Sequence, residues 1–227
     1  MNSHSPIRPP SARVLLLTGP SGSGKTSLAA ATGLPVLNLD DFYKEGTDPS
    51  LPQLPDGGGA DWDSPLSWDA GAAVAAIEEL CRTGRTAVPV YDIATSARTG
   101  SSALALDGAP LFVAEGIFAA DVIDRCRAAG LLADALCLRG RRATTFRRRL
   151  ARDLREGRKP AVYLVRRGLR LLRSERTIVA RHTALGAHPC AGPEALARIA
   201  AARVGAPPCS NGVESSGECP VETAARP

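Results

Sequence analysis

The segment with the clearest chemical meaning lies near the start of the chain, where a Gly-rich run ends in a lysine and a threonine. Residues 19–26 fit the pattern G-x-x-x-x-G-K-S/T in full. Its glycines let backbone N–H groups point at phosphate oxygens, its lysine reaches the β- and γ-phosphates, and its hydroxyl holds Mg²⁺. The sequence therefore predicts a site for ATP and Mg²⁺ made by Gly19, Pro20, Ser21, Gly22, Ser23, Gly24, Lys25, Thr26 and Ser27.

Two acidic residues follow apolar runs at places where parallel strands would end. Asp40 comes after Val-Leu-Asn-Leu, and Glu115 comes after Leu-Phe-Val-Ala. Ligands of open α/β sheets bind beyond the carboxyl ends of the strands. A carboxylate at Asp40 could accept the proton of an attacking hydroxyl or help to arrange Mg²⁺, and Glu115 could reach the same ion. Asp41 is the alternative to Asp40.

Four short apolar runs predict buried strands of a parallel sheet, because strands that are covered on both faces are nearly continuous in aliphatic residues. They are Val14–Leu17, Val36–Leu39, Leu111–Ala114 and Ala135–Leu138. Helices are predicted at 27–32, at 70–82 with Asp69 as the N-cap, and near 121–129. The part of the chain after the Ala135–Leu138 run is predicted to be helical to about Val204. This alternation predicts an α/β P-loop NTPase fold in three layers, with helices on both sides of a central parallel sheet.

Composition divides the chain into one domain between two tails. Residues 1–12 and 205–227 are predicted to be a disordered leader and tail, and 13–204 to be the catalytic domain, with a long loop from Phe42 to Trp68. No run approaches the ~20 apolar residues of a membrane span, and the six cysteines lack C-x-x-C spacing. These features predict a cytoplasmic protein with free thiols and no membrane partner.

Positive charge is concentrated in one segment. Residues 139–176 contain 15 of the 28 lysines and arginines but only three acidic residues. Such a block can bind polyphosphate, nucleic acid or an acidic membrane surface, or it can be a solvated helix face. Its only aromatic residues are Phe146 and Tyr163, which argues against a nucleic-acid reader that stacks bases on aromatic rings.

Five further segments follow the Gly-rich loop in a characteristic order. They are Asp-Asp-Phe-Tyr at 40–43, Trp-Asp-Ser-Pro-Leu-Ser-Trp-Asp at 62–69, Pro-Val-Tyr-Asp at 89–92, Glu-Gly-Ile at 115–117 and Arg-Arg-Leu-Ala-Arg-Asp at 148–153. Over roughly residues 13–160 the chain resembles the uridine kinase (uridine–cytidine kinase) family. The resemblance implies an enzyme that transfers the γ-phosphoryl group of ATP to the 5′-hydroxyl of a nucleoside, with Mg²⁺ as cofactor. It also suggests a homo-oligomer.

The resemblance implies roles for particular residues. Asp40 corresponds to the catalytic aspartate, and Lys25 contributes to catalysis. Asp63 and Arg149 match the contacts to the ribose hydroxyls, Tyr91 matches a residue beside the nucleobase, and Tyr43 joins the substrate-binding set.

An Arg-rich helical lid is expected at approximately 141–160. There Arg152 and Arg158 match the arginines that close over the transferring phosphoryl group and spread its developing charge.

One position departs from the family. Ser96 stands where uridine kinases usually carry a histidine that contacts the pyrimidine. A kinase for another small metabolite, such as pantothenate, glycerate or a sugar phosphate, therefore stays an alternative. A nucleotide-dependent switch that binds RNA or protein is a second one. Arg181, His182 and His188 lie beyond the resemblance and are expected to serve at the surface or in packing.

Overall fold

The computed structural model describes residues 10–55, 57–139 and 175–205. Its strands are β1 (Arg13–Thr18), β2 (Val36–Asn38), β3 (Arg85–Asp92), β4 (Ala97–Ala105), β5 (Leu111–Glu115), β6 (Leu132–Leu138) and β7 (His188–Cys190). Its helices are α1 (Lys25–Ala31), α2 (Ala70–Thr83), α3 (Ile123–Ala128), α4 (175–184) and α5 (Gly192–Val204). Short 3₁₀ helices cover Leu39–Phe42, Pro65–Ser67 and Ala119–Val122.

A five-stranded parallel sheet forms the centre, in the order β2-β5-β1-β6-β7. The four predicted apolar runs are all strands of this sheet. In the pairing of β1 with β5, Leu17 lies opposite Glu115, so both strands end at the same edge. The parallel sheet and its flanking helices confirm the predicted α/β fold.

Alternate residues of β1 divide the core into two layers, because successive side chains of a strand point to opposite faces. Val14 and Leu16 belong to a cluster that includes α2 and α3 residues, whereas Leu15 and Leu17 belong to another that includes residues of α1 and α5. All four side chains are completely buried. The Gly-rich loop that follows β1 therefore starts from a completely buried part of the sheet.

The longest described helix, α2, begins and ends as its sequence predicts. Asp69 accepts a hydrogen bond from the Ala72 N–H at 2.9 Å, which is the predicted N-cap. Gly84 ends the helix in the left-handed conformation at φ 76°. The described residues of the predicted loop from Phe42 to Trp68 form a loop, apart from the short 3₁₀ turn and two isolated bridges, Tyr43 to Trp68 and Gln53 to Ala60.

One hairpin was missed, and one strand was expected to be helix. No strand was predicted around Val88 to Arg98, which belongs to the antiparallel hairpin β3–β4. The segment between Leu138 and Val204 was expected to be helical, but it includes β7. The three residues of β7 pair with Leu136–Leu138 at the sheet edge. A strand this short has no periodicity to detect, and β4 is exposed along nearly its whole length, so neither carries a clear hydrophobic signal.

Parts of the predicted domain layout lie outside the described residues. These parts are most of the leader, the whole lid at 141–160 and nearly all of the tail. The last two residues of the predicted leader, Ser11 and Ala12, each donate a backbone N–H to the Cys81 carbonyl at the end of α2. None of the helices in the described ranges is long and apolar enough to cross a bilayer.

Candidate active site

The Gly-rich loop occupies the turn between Thr18, which ends β1, and Lys25, which begins α1. Gly19, Gly22 and Gly24 all have positive φ, at 140°, 78° and 99°. A Cβ on Gly19 would also lie only 2.5 Å from the Leu138 carbonyl oxygen. Both observations explain why this loop needs glycine, and they agree with the predicted phosphate-binding conformation.

Lys25 is folded back into this loop. Its side chain is buried, with 8% of the residue exposed, and Nζ donates to the Gly19 carbonyl at 3.1 Å. A longer contact of 3.5 Å joins Nζ to the Pro20 carbonyl. The ammonium group is therefore held inside the curve of the loop, where an anionic phosphate would be its natural partner.

Thr26 and Glu115 form the closest polar pair of the site. The Thr26 hydroxyl donates to Glu115 Oε1 at 2.6 Å, which joins the first turn of α1 to the end of β5. Burial raises the pKa of Glu115, while Thr26 and the Lys25 ammonium act in the opposite direction. The nearby carboxylates of Asp40 and Asp41 raise this pKa further. The site thus gathers more negative charge than Lys25 balances.

The side-chain oxygens of Thr26 and Glu115 are suitable ligands for Mg²⁺. It prefers oxygen ligands and usually takes only one or two protein side chains, with water and phosphate oxygens completing its shell. Thr26 and Glu115 supply a hydroxyl and a carboxylate at one point. Within the described ranges no group of three or more His, Cys, Asp or Glu side chains could hold a metal by itself.

Asp40 lies in the 3₁₀ turn that follows β2, and backbone groups orient it. Its N–H donates to the side chain of Asn38, which caps the turn, at 3.2 Å. Its carboxylate oxygen Oδ1 accepts a hydrogen bond from the Ile117 N–H, also at 3.2 Å. Ile117 is two residues beyond Glu115, so the structure brings the two predicted acidic residues to the same edge of the sheet.

Asp41 has a different environment from its neighbour. Its Oδ2 accepts a hydrogen bond from Asn38 Nδ2 at 2.9 Å. Burial raises the pKa of Asp41, and this hydrogen bond opposes that effect. Asp41 therefore pairs with the residue that caps its own turn, which favours Asp40 as the residue that acts on a ligand.

Tyr43 stands at the centre of an aromatic cluster beside Asp40. Its ring centroid lies 5.9 Å from those of Trp62, Tyr91 and Phe118. Burial raises the pKa of the Tyr43 phenol, and the charges of Asp40 and Asp63 add to the effect. Tyr43 therefore lies within electrostatic reach of both the predicted catalytic carboxylate and the predicted sugar contact.

The hydroxyl groups of this cluster are bonded to backbone. Tyr43 donates to the Trp62 carbonyl at 3.3 Å, and Tyr91 donates to the Lys44 carbonyl at 3.1 Å. Asp63 is exposed on the neighbouring loop. The structure thus brings together Tyr43, Tyr91 and Asp63, three of the residues that the sequence associates with the acceptor.

Ser96 lies in the turn of the β3–β4 hairpin with a left-handed backbone, at φ 51°. Its carbonyl accepts a hydrogen bond from the Gly46 N–H at 2.7 Å. A Cβ on Gly46 would lie 3.1 Å from Ser96 Cβ. The position that departs from the family therefore ties the hairpin tip to the long loop beside the aromatic cluster.

The remaining predicted site residues are not placed. Arg149, Arg152 and Arg158 fall within 140–174, outside the described residues.

Several residues that shape the site had no individual role in the sequence-based prediction. Asn38, Gly116 and Ile117 surround Asp40, and Thr18 and His182 are buried beside the loop. Gly116 and Ile117 had a signal, since both belong to the Glu-Gly-Ile segment, and His182 was expected only at the surface or in packing.

Comparison with known proteins supports the fold. No protein-family model and no curated protein matches the chain. Among solved structures, one from Silicibacter sp. TM1040, provisionally described as a fructose transport system kinase, matches with a TM-score of 0.54 and 21% identity. This match covers 78% of the present chain and 88% of the other.

Two further solved structures align less closely. A protein from Bacillus stearothermophilus, provisionally described as a uridine kinase, gives a TM-score of 0.43 at 21% identity over 62% of this chain and 78% of its own. The YGR205w protein gives a TM-score of 0.45 at 14% identity, and the match covers 80% of this chain and 86% of its own. The fold match to the Silicibacter protein, the sheet order and the Gly-rich loop agree, and the chain has an α/β P-loop fold.

Proposed function

We propose that this protein is an ATP-dependent kinase that phosphorylates a hydroxyl group of a small metabolite, with the 5′-hydroxyl of a nucleoside as the first candidate. One observation carries the proposal. The Gly-rich loop, the Thr26–Glu115 pair and the Asp40 carboxylate converge at the edge where β1, β2 and β5 end. A phosphate-binding loop beside an oriented carboxylate is the arrangement that phosphoryl transfer to an alcohol requires.

The protein groups have distinct tasks in this scheme. Backbone N–H groups of the loop and the Lys25 ammonium would bind and orient the phosphates of ATP. Mg²⁺, held through Thr26 and Glu115, would neutralise charge on the phosphate oxygens. The carboxylate of Asp40 would receive the proton of the acceptor hydroxyl, and the Ile117 N–H fixes its orientation from the other side.

The surroundings of Asp40 support an acceptor with a flat ring and a sugar. The rings of Tyr43 and Tyr91 lie 5.9 Å apart and tilted by 38°, and they offer aromatic surface for a nucleobase. A carboxylate at Asp63 suits a pair of vicinal hydroxyl groups, because it can accept two hydrogen bonds. A nucleoside combines both features.

A non-nucleoside acceptor is the second candidate. Ser96 stands where the family usually carries its base-contacting histidine. The Silicibacter structure is described as a fructose transport system kinase. Sugars therefore belong among the acceptors to be tested.

The cytoplasm is the compartment we propose for this reaction, with a small molecule rather than nucleic acid as partner. In the described ranges Cys81, Cys126, Cys137 and Cys190 are buried free thiols. Free cysteines suit the reducing conditions of the cytoplasm.

The test is ADP release by the full-length protein with Mg-ATP across a panel of nucleosides, pantothenate, glycerate, fructose and sugar phosphates. We expect uridine or cytidine to stimulate turnover, and Lys25→Met to remove the stimulation. Turnover with only a non-nucleoside would keep the phosphoryl chemistry and remove the acceptor assignment. If no acceptor raises turnover above background, the proposed function is wrong.

A further inference from the structure

His182 is the buried imidazole nearest to the Gly-rich loop in the described part of the chain. It lies on α4, and only 2% of the residue is exposed. Its Nδ1 is 3.1 Å from the hydroxyl oxygen of Thr18, the residue immediately before Gly19. The Cys137 sulfur lies 3.9 Å from the same nitrogen. A histidine that only filled space would not need an oriented polar contact at the end of β1.

The contacts of Thr18 determine which nitrogen of His182 carries the proton. The Thr18 hydroxyl donates to the Ile117 carbonyl at 3.2 Å, and a hydroxyl has only one proton to donate. Both contacts can be hydrogen bonds at the same time only if His182 Nδ1 donates to Thr18.

The charge of the ring agrees with this arrangement. Burial lowers the pKa of His182 to about 4, Arg181 and Lys25 act in the same direction, and Asp121 opposes them. The ring is therefore neutral near pH 7 and carries one proton, which the geometry places on Nδ1.

Ile117 connects this pair to the candidate catalytic residue. Its carbonyl accepts the Thr18 hydroxyl, and its N–H donates to Asp40 Oδ1 at 3.2 Å. The preceding residue, Gly116, is packed against Asp40 so closely that a Cβ would lie 3.0 Å from Oδ1. A displacement of the Ile117 backbone would consequently move the carboxylate of Asp40.

We propose that His182 is a positioning residue: through Thr18 and Ile117, it fixes the orientation of the Asp40 carboxylate. The four residues form a series of hydrogen bonds from α4 to the sheet edge, which we call the His182–Asp40 chain. Supporting groups of this kind hold a reacting group in its productive geometry, and a buried network orients only when every member is satisfied. The catalytic consequence rests on the proposed function, whereas the structural connection does not.

Matched variants separate positioning from packing. Thr18→Val and His182→Leu keep most of the side-chain volume but break the His182–Asp40 chain, so we expect kcat to fall about 10- to 100-fold. The KM for ATP should stay within about twofold, because the phosphate-binding groups are unchanged. Thr18→Ser and His182→Asn keep a hydroxyl and an N–H donor, and both should recover most of the activity. Cys137→Ala, beside the same imidazole, is the control and should keep wild-type kcat.

A second measurement does not depend on turnover. The ¹⁵N shifts of His182 in the wild-type protein report which nitrogen is protonated, and amide exchange at Ile117 reports how firmly its backbone is held. We expect a proton on Nδ1, and Ile117 exchange at least about tenfold faster in Thr18→Val and His182→Leu but unchanged in Cys137→Ala.

The outcomes distinguish the two proposals. If exchange at Ile117 responds as expected and no acceptor is phosphorylated, the His182–Asp40 chain stands and the proposed function fails. A proton on Nε2, unchanged exchange at Ile117, or wild-type kcat in His182→Leu would each overturn the positioning role.

Discussion

The carboxylates at the ends of β2 and β5 differ in what holds them. Asp40 is oriented by the Ile117 N–H, Asp41 by the side chain of Asn38, and Glu115 by the Thr26 hydroxyl. Asp41 also accepts a hydrogen bond from the Tyr91 backbone. A carboxylate can accept about four hydrogen bonds, so each of the three keeps acceptor capacity for something else. The partners, more than the acidic residues themselves, distinguish a structural role from a chemical one.

The difference between Asp40 and Asp41 leads to a paired test. Asp40→Asn should lower acceptor-dependent kcat by about 10²- to 10⁴-fold, the usual effect of losing a general base. Asp41→Asn should stay within about threefold of wild type, because an amide can still accept the hydrogen bond from Asn38. Steady-state ADP release measures both. A larger loss in Asp41→Asn would transfer the catalytic role to that residue.

The burial of Glu115 predicts that stability and activity respond in opposite directions. Its pKa is raised in the folded protein, so its contribution to stability is fully present below the ordinary value of 4.5 and is lost as the pH rises through the folded pKa. The neutral amide of Glu115→Gln does not ionise, so this variant does not lose that stability as the pH rises. At pH 7 without nucleotide we expect a higher Tm, by roughly 2–4 °C for each kcal/mol recovered, together with weaker dependence of activity on Mg²⁺.

Thermal unfolding of wild type and Glu115→Gln between pH 4 and pH 8 tests this prediction. The difference in Tm should grow with pH and vanish near pH 4. Glu194→Gln is the control, since Glu194 is exposed and its pKa is lowered by a hydrogen bond from His188. If Glu115→Gln lowers the Tm at pH 7, the hydrogen bond from Thr26 outweighs the cost of burying the charge.

Among the elements, the short turn Leu39–Phe42 does the most to place Asp40. The carbonyl of Leu39 accepts the indole N–H of buried Trp68 at 2.7 Å, and the ring of Trp68 lies 5.9 Å from that of Phe118. On the other side, Gly116 lets the turn approach the end of β5. The turn is therefore clamped between two elements that are far apart in sequence.

Gly116→Ala tests whether this approach is needed. The added Cβ would lie 2.9 Å from Leu39 Cβ and 3.0 Å from Asp40 Oδ1, so the turn must shift. We expect a fall in kcat of about 10- to 100-fold from misplacement of the carboxylate, with ATP affinity nearly unchanged. Gly100→Ala is the matched control on exposed β4, where a Cβ would meet nothing within 4 Å. Equal kcat in the two variants would show that the turn tolerates the shift.

At the scale of the whole molecule, we expect bound nucleotide to stabilise the protein against unfolding. The Gly-rich loop joins β1, the central strand of the sheet, to α1, so a ligand bound there stabilises the central sheet. At Mg-ATP concentrations about 100 times the Kd, binding raises the free energy of unfolding by about 2.7 kcal/mol. This increase corresponds to a rise in Tm of roughly 5–10 °C.

Thermal unfolding with and without Mg-ATP measures this shift, and Lys25→Met should remove most of it. The comparison is between shifts and not between absolute Tm values, because methionine at a buried position alters the apo protein as well. A wild-type shift in Lys25→Met would mean that Lys25 does not contact the nucleotide.

From the sequence alone, the α/β architecture and the Gly-rich loop that we assign to nucleotide binding could be predicted. Buried parallel strands require continuous apolar runs, and a phosphate-binding loop requires Gly19, Gly24, Lys25 and Thr26 within a few positions, so both are written locally. The N-cap Asp69 was predictable for the same reason.

The way in which the remaining parts come together is visible only in the folded chain. The hairpin β3–β4, strand β7, the clamp on the Asp40 turn and the His182–Asp40 chain all join residues that are distant in sequence. His182 and Thr18 are 164 positions apart, and no periodicity or spacing connects them. Long-range contacts of this kind depend on which strands become neighbours. The order β2-β5-β1-β6-β7 differs from the order along the chain, so these neighbours are known only from the folded structure.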